Sequence, residues 1–343
     1  MGVVDRHPGG RPTLEQVARR AGVGRGTVSR VINGSPRVSD RTRTAVLRAV
    51  TELGYVPNRA ARALAAGSTD AIALVVPEPE TRLFAEPYFS GVLRGVSSEL
   101  ADTDMQLLLT LVRDQRERDR LAQFVAARRV DGVLLVSVHH DDPLPDLLER
   151  YDMPAVLNGR RSGAESVPYV DSDNSGGAAL AVAHLAARGR RTIATITGPL
   201  DMYVAQCRLE GYRDALRAAG HRPADTLVAH GDFTERGGHR AMRELLDRAP
   251  ALDAVFCASD LMAAGARAAL READRTVPDD VALVGFDDSA MARQMDPPLT
   301  TVRQPIEEMG RTMARVLLDQ IRERSAERPH VVLPTELVRR GSA

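Results

Sequence analysis

Residues 13–34 read TLEQVARRAGVGRGTVSRVING. Thr13, followed three residues later by Gln16, forms a capping box, and Leu14, Val17, Ala18 and Ala21 recur behind it at helical spacing. Gly22 stops that helix after about two turns. A second short helix is predicted from Arg25 to Ile32, with Val28, Val31 and Ile32 apolar, ending at Asn33-Gly34. Only Gly22, Val23 and Gly24 separate the two, which is the pattern of a helix-turn-helix. A third helix is predicted from about Asp40 to Leu53, with Ala45, Val46, Ala49, Val50 and Leu53 inward and Gly54 at its end. Three helices of this size close one minimal core. Gly22, Gly24 and Gly26 also resemble a fragment of a dinucleotide fingerprint. That motif needs a preceding strand and a third glycine where this chain has Thr27, and here a helix precedes.

The surrounding segment is basic. Residues 1–67 hold twelve arginines against four acids, net +8, and the other 276 residues are net −8, so the 343-residue chain has zero formal charge. A basic head on an acidic body suits a polyanionic partner, although a basic surface can also be merely a solvated face. The length fits two domains or three, and 43% hydrophobic with 27% charged residues is ordinary for a globular protein with a substantial core. No apolar run approaches the ~18 residues needed to cross a bilayer. Residues 1–12 are polar and basic without an apolar h-region, so no secretory signal is expected. Cys207 and Cys257 form no CxxC pair and no disulfide framework. A cytoplasmic location is expected.

From Ala71 onward, short apolar runs alternate with helical patterns. Strands are predicted at 71–76, 105–111, 132–137, 155–158, 192–197, 226–230, 254–257 and 281–286, and helices near 89–101, 116–128, 175–188, 207–219, 235–248 and 260–272. Such alternation implies parallel sheets with right-handed crossovers. The pattern arises twice, before and after about residue 171, which suggests two similar lobes with a cleft beyond the carboxyl ends of their strands. No heptad pattern follows the last of these strands. The divisions expected are a headpiece over 1–56, a hinge over 57–69 and a two-lobed domain over 70–343.

The headpiece residues carry a family resemblance. Thr13 to Ala18, Ala21-Gly22-Val23, Thr27 to Gly34, Val38-Ser39, Glu52 to Tyr55 and Pro57-Asn58, continuing through Ala61, Arg62, Leu64 and Gly67, resemble the LacI family of bacterial transcription regulators. In the body, Asp173-Asn174, Gly177-Ala178, His184-Leu185, Gly198-Pro199, Arg208, Gly211-Tyr212, Ser259 to Ala263, Val284 to Asp288 and Pro297 to Thr301 extend the match. The resemblance implies an all-α helix-turn-helix headpiece plus an α/β sensor of the periplasmic-binding-protein type with two parallel-sheet lobes. It further implies a homodimer bound to a near-palindromic double-stranded DNA operator and controlled by a small-molecule effector, with no cofactor or metal.

In a helix-turn-helix the N-terminal residues of the second helix reach base edges in the major groove. Here they are Arg25 and Gly26, with Arg30 one turn on. Arg25 reads as a base contact; for Arg30, base and phosphate contacts stay equally open. Thr27, Ser29, Asn33 and Thr42 suit phosphates, and the resemblance adds Thr13 and Arg37 to the DNA-binding set. Gly24 stands where the family usually has Ser, and Gly26 removes a side chain that often reads a base. Residues 58–66 are helix-friendly and follow Pro57, yet an isolated helix needs ~12–15 residues to be even marginal in water. By resemblance, Asn58, Arg59, Ala61 and Leu64 form a hinge helix whose Leu64 wedges into the minor groove. An ordinary linker is the alternative.

By the same resemblance the effector contacts are Tyr88, Phe89 and Asn158 from the first lobe and Arg208, Phe233, Asp260 and Asp287 from the second. Aromatic faces and charged hydrogen-bonding groups suit a polar ring, a sugar or sugar derivative first and a nucleoside or purine second. Arg208 and Asp287 could instead pair structurally, Phe233 could be plain core, and Ser259 stands where the family more often has Asn. Catalysis has little support. His139-His140-Asp141-Asp142 reads as a solvated loop before Pro143 rather than a metal cluster, Cys207 reads as a silent thiol, and no HExxH spacing occurs. A solute-binding protein for a transporter and an α/β enzyme are the competing classes. The basic head counts against the first, the missing nucleotide motif against the second.

Overall fold

The computed structural model describes residues 12–32, 35–55, 68–323 and 328–343. It divides into two compact units, Met1–Thr69 and Asp70–Ala343. In the first, helices α1 (Leu14–Ala21), α2 (Arg25–Ile32) and α3 (Asp40–Leu53) bury Val17, Val28, Val31, Val46, Ala49 and Tyr55 against one another. The capping box forms: Thr13 Oγ1 accepts from the Gln16 amide at 3.3 Å, and Gln16 Oε1 accepts from the Thr13 amide at 2.7 Å. Gly22 and Gly54 end their helices in the left-handed region at φ 68° and 61°, where a Cβ would be strained.

The second unit holds two six-stranded sheets. The first contains β1 (Ala71–Val76), β2 (Gln106–Leu111), β3 (Gly132–Val136), β4 (Ala155–Asn158), β5 (Tyr169–Ser172) and β11 (His330–Leu333), ordered β11-β5-β4-β3-β1-β2 and wholly parallel. The second contains β6 (Ile193–Thr197), β7 (Val228–His230), β8 (Ala254–Cys257), β9 (Ala282–Asp287), β10 (Thr300–Arg303) and β12 (Glu336–Val338), ordered β12-β10-β9-β8-β6-β7. It is parallel except for β12, which runs antiparallel to β10.

Both faces of the first sheet are covered, so β1 and β3 at its centre are apolar throughout. Ala71, Ala73 and Val75 of β1 pack with Leu121 and Val125 of α6 (Gln115–Ala126) and Leu144 and Leu148 of α7 (Leu144–Arg150). On the other face Ile72, Leu74 and Val76 pack with Val92 and Val96 of α5 (Pro87–Leu100) and Met309, Met313 and Leu317 of α13 (Ile306–Glu323). In the second lobe α8 (Asn174–Ala187) and α9 (Tyr203–Ala218) cover one face, and α10 (Glu235–Arg248) and α11 (Asp260–Glu272) the other.

The structure corrects the single division near residue 171. After β5 the chain crosses to the second lobe, but after β10 it returns, so that α13 and β11 complete the first lobe before β12 closes the second. Strands β5, β10, β11 and β12 and helices α13, α7, α4 (Glu80–Ala85) and α12 (Ala290–Gln294) were not among the predicted elements. Asp225–Leu227, of which residues 226 and 227 were predicted as strand, form a short 3-10 turn ahead of β7.

Candidate functional site

In the headpiece, Arg25 is the first residue of α2 and is exposed, as are Gly26, Arg30 and Arg37. Arg30 Nε donates to the Gly26 carbonyl at 3.2 Å, folding the side chain along its own helix. Thr27 and Ser29 are half-buried, and the Thr13 hydroxyl serves the cap of α1. Asn33, Asn58, Arg59, Ala61 and Leu64 lie outside the described residues.

In the sensor, the carboxyl ends of strands from both sheets meet at a cleft. Glu86, Tyr88 and Phe89 come from the start of α5, Asn158 and Arg160 from the end of β4, and Asp171 from β5. From the second lobe come Asn174, Arg208 of α9, Phe233 and Asp287, with Gln304 on the crossover after β10. Predicted contacts Tyr88, Phe89, Asn158, Arg208, Phe233 and Asp287 therefore line one cavity. Asp260 does not line it. Its carboxylate accepts from Thr301 Oγ1 at 2.5 Å and the Ser289 amide at 2.7 Å, and it borders a second cavity that adjoins the first through Glu86, Tyr88, Asp287 and Gln304. Burial lifts the Asp260 carboxyl to about 6 against those hydrogen bonds.

The lobes are nearly shut. The cleft cavity is about 50 Å³, well under the ~300–1,000 Å³ common for ligand pockets, while its neighbour, about 560 Å³, falls within that range. Three groups tie the lobes: Arg82 lies over the Phe233 ring at 5.5 Å, Arg160 over Tyr203 at 5.1 Å, and His139 Nδ1 meets Asp201 Oδ2 at 2.7 Å. Ser137 and Phe233 at φ 63° and Asp287 at φ 118° hold left-handed backbone. Such strain, ~1–3 kcal/mol per residue, concentrates where a fold aims side chains at a ligand.

Two of the three cleft arginines are paired with carboxylates. Arg82 pairs with Glu78 at 2.6 Å and Glu86 at 3.1 Å, and Arg160 Nε lies 3.2 Å from Asp171 Oδ2. Arg208 donates to Asn174 Oδ1 at 2.8 Å and the Ala258 carbonyl at 2.5 Å, and its guanidinium sits 3.8 Å from the Phe286 ring centre. The Arg208–Asp287 structural pair weighed from sequence is replaced by these contacts, while Asp287 Oδ1 accepts from Gln304 Nε2 at 2.6 Å. Burial pushes Asp287 well above the usual carboxylate range despite Arg208, and lowers Arg208 despite Asp287. Burial also raises Asp171 and Glu86, against Arg160 and Arg82 respectively. Tyr88 donates to Asn158 Oδ1, which leaves Asn158 Nδ2 buried without a partner.

Glu86, Arg160, Asp171, Asn174 and Gln304 were not found from sequence. Only Asn174 belonged to a noted motif; Glu86 and Arg160 sit on turns, Asp171 on the short polar strand β5 and Gln304 on a crossover. The solvated-loop reading of residues 139–142 is also corrected. His139 bridges Glu78 and Asp201, and buried Asp142 accepts from the Leu144 amide at 2.9 Å ahead of α7. Among the described residues no cluster could hold a metal ion. Cys207 is buried, and burial together with the Asp171 charge raises its thiol above the ordinary range.

A helix-turn-helix unit joined to a two-lobed sensor defines a DNA-binding transcription regulator with a ligand cleft. Residues 13–58 match the LacI family of bacterial regulatory proteins, and residues 182–343 match a periplasmic binding protein-like domain. The chain is 54% identical over 334 residues to the HTH-type transcriptional regulator CelR of Thermobifida fusca, covering 97% of this chain and 98% of that one. A solved CelR–cellobiose complex superposes with TM-score 0.79 at 52% identity, covering 97% of this chain and all of that chain. The lac repressor dimer bound to operator and the anti-inducer ONPF gives TM-score 0.86 at 28% identity, covering 97% and 99%. The chain belongs to the LacI family. No helix among the described residues is long and apolar enough to cross a membrane.

Proposed function

We propose that this protein is a homodimeric repressor that binds a near-palindromic operator and is controlled by a neutral sugar, of the cellobiose type, bound between the sensor lobes. The carrying observation is the cleft: a polar ring of groups on Phe233 and Phe89, with Arg82 and Arg160 already opposed by carboxylates and Arg208 bonded to neutral oxygens beside Asp287, suits an uncharged polyhydroxylated ligand better than an anion. Likeness to CelR, solved with cellobiose, supports that choice. The shut lobes must part to admit a disaccharide, and differential affinity of the ligand for the parted and closed arrangements supplies the coupling to DNA, typically ~1–3 kcal/mol.

The headpiece reads half-sites through Arg25 at the start of α2, with Arg30, Thr27, Ser29, Asn33, Arg37 and Thr13 toward bases or phosphates. Residues 57–69 act as the hinge, with Asn58, Arg59, Ala61 and Leu64 at the minor groove. Dimerisation is supported by β2, an edge strand of the first sheet. It exposes Leu108 and Leu109, the latter lining one surface pocket with Phe84, which is 81% exposed, and an apolar edge of this kind favours a second copy. The test is a gel shift with DNA from the protein's own promoter region at several salt concentrations, with and without cellobiose. Specific retardation that falls steeply with salt and shifts with the sugar is expected. No specific binding, or binding indifferent to every sugar and nucleoside tried, rejects the reading.

A further inference from the structure

Three buried polar atoms along the first-lobe wall of the cleft have no hydrogen-bond partner: Asn158 Nδ2, Arg160 Nε and Asp171 Oδ2. Their residues line the same cavity, and Asn158 pairs in register with Val170, the neighbour of Asp171. Asp171 is 1% exposed. Its Oδ1 is fully used, accepting from the Ser172 amide and Asn174 Nδ2, both at 2.8 Å. The Arg160 guanidinium carbon lies 5.0 Å from the Tyr169 ring centre and 5.1 Å from that of Tyr203, and Nη1 donates to Tyr169 Oη at 2.9 Å. Arg160 Nε and Asp171 Oδ2 are 3.2 Å apart, yet each lacks hydrogen-bond geometry to the other. Buried polar atoms are rarely left so. Here one acceptor and two donors stand together, on side chains each anchored through another of its atoms.

We propose that Asp171 Oδ2, with Arg160 Nε and Asn158 Nδ2, forms the subsite that selects a vicinal diol of a pyranose ring. A hydroxyl both donates and accepts. One hydroxyl donates to Asp171 Oδ2 while accepting from Arg160 Nε, and its neighbour accepts from Asn158 Nδ2. A phosphate or carboxylate placed there brings its own lone pairs against those of Asp171 and is rejected. This assignment rests on the sugar reading above and adds the residue that discriminates among sugars.

The test is calorimetry on the full-length protein with cellobiose and its mono-deoxy analogues. The wild type is expected to bind cellobiose and to bind at least one deoxy analogue about tenfold or more weakly, the scale of a hydrogen bond to a charged group. Asp171→Asn keeps an oxygen for Ser172 and Asn174 but turns the unpartnered acceptor into a donor. It is expected to lose about tenfold or more in cellobiose affinity and to stop discriminating against that analogue, a change of selectivity that a merely structural role does not produce. Wild-type affinity that is equal for every mono-deoxy analogue overturns the subsite without any variant having to fold. So does an Asp171→Asn protein that keeps both affinity and selectivity. Failure of the wild type to bind any sugar overturns the sugar reading itself.

Discussion

His139 Nδ1 stands 2.7 Å from Asp201 Oδ2, the histidine following β3 in the first lobe and the aspartate following β6 in the second. The other ring nitrogen lies 3.1 Å from Glu78 Oε1, and the His140 amide donates to the Asp201 carbonyl at 2.7 Å. One imidazolium thus fastens a buried acid of one lobe to an exposed acid of the other, so part of the closure energy depends on protonation.

The hydrogen bond to Glu78 is the main reason that His139 titrates near 9 rather than 6.5; Asp201 adds to it and burial opposes it. Arg82 and Asp142 are the other charges facing this cluster. Because the folded-state value is raised, the stabilisation is complete below pH 6.5 and is lost as pH climbs through about 9. The thermal midpoint of the full chain is expected to decline across that window, and a His139→Gln chain to decline less. Since Asp201 is exposed, high salt is expected to shrink the difference. Parallel pH profiles for the two proteins exclude the clasp.

Asp287 is reached by a relay. Ser172 Oγ donates to Gln304 Oε1 at 2.7 Å, and Gln304 Nε2 donates to Asp287 Oδ1 at 2.6 Å, linking β5 to β9 through the crossover between lobes. Asp287→Asn retains an oxygen for Gln304 while removing the acceptor-only carboxylate. The variant is expected to fold and hold operator DNA as the wild type does, yet to lose the effector response. Normal effector affinity by calorimetry places Asp287 outside the site.

What was legible follows from how the signal is carried. Strands β1, β3 and β8 are buried on both faces, so each is an unbroken apolar run. In contrast, β5 is Tyr-Val-Asp-Ser and β10 is Thr-Thr-Val-Arg, four residues each, with polar groups kept by contacts made far along the chain. Asp171 needs Asn174 and Arg160; Thr301 needs Asp260. Helix α13 is a different case. Met309, Met313, Ala314, Leu317 and Leu318 recur at helical spacing, and the pattern was present but unused. The cleft shows the same division: Arg208, Phe233 and Asp287 came through the family resemblance, whereas Arg160, Asp171 and Gln304 acquire meaning only when the neighbouring strands β4 and β5 and the crossover after β10 bring them together.

Helix α13 can be tested by size. It crosses α5 so closely that a Cβ on Gly95 would lie 2.0 Å from the Glu307 carbonyl oxygen, and one on Gly310 would lie 2.3 Å from that of Val92. Both obstacles are backbone and cannot swing aside. Gly95→Ala and Gly310→Ala are each expected to cost ~1–3 kcal/mol or more of sensor stability, read as a lower midpoint in denaturant melts. Unchanged midpoints in both exclude the crossing.

Gly26 makes the opposite case within the headpiece. Nothing lies within 4 Å of the position its Cβ would take, and it occupies the second residue of α2. Gly26→Ala is therefore expected to leave the headpiece folded and to gain up to ~1 kcal/mol of helix propensity. Any weakening of operator binding in that variant must come from DNA pressing on the added methyl group, which locates the base edges at the start of α2. Arg25→Ala, one residue earlier, is expected to flatten the preference at one base pair per half-site, a loss of ~1–3 kcal/mol of discrimination there, in a binding-site selection experiment. If Gly26→Ala binds operator as tightly as wild type and Arg25→Ala selects the same sequences, this end of α2 does not face the bases.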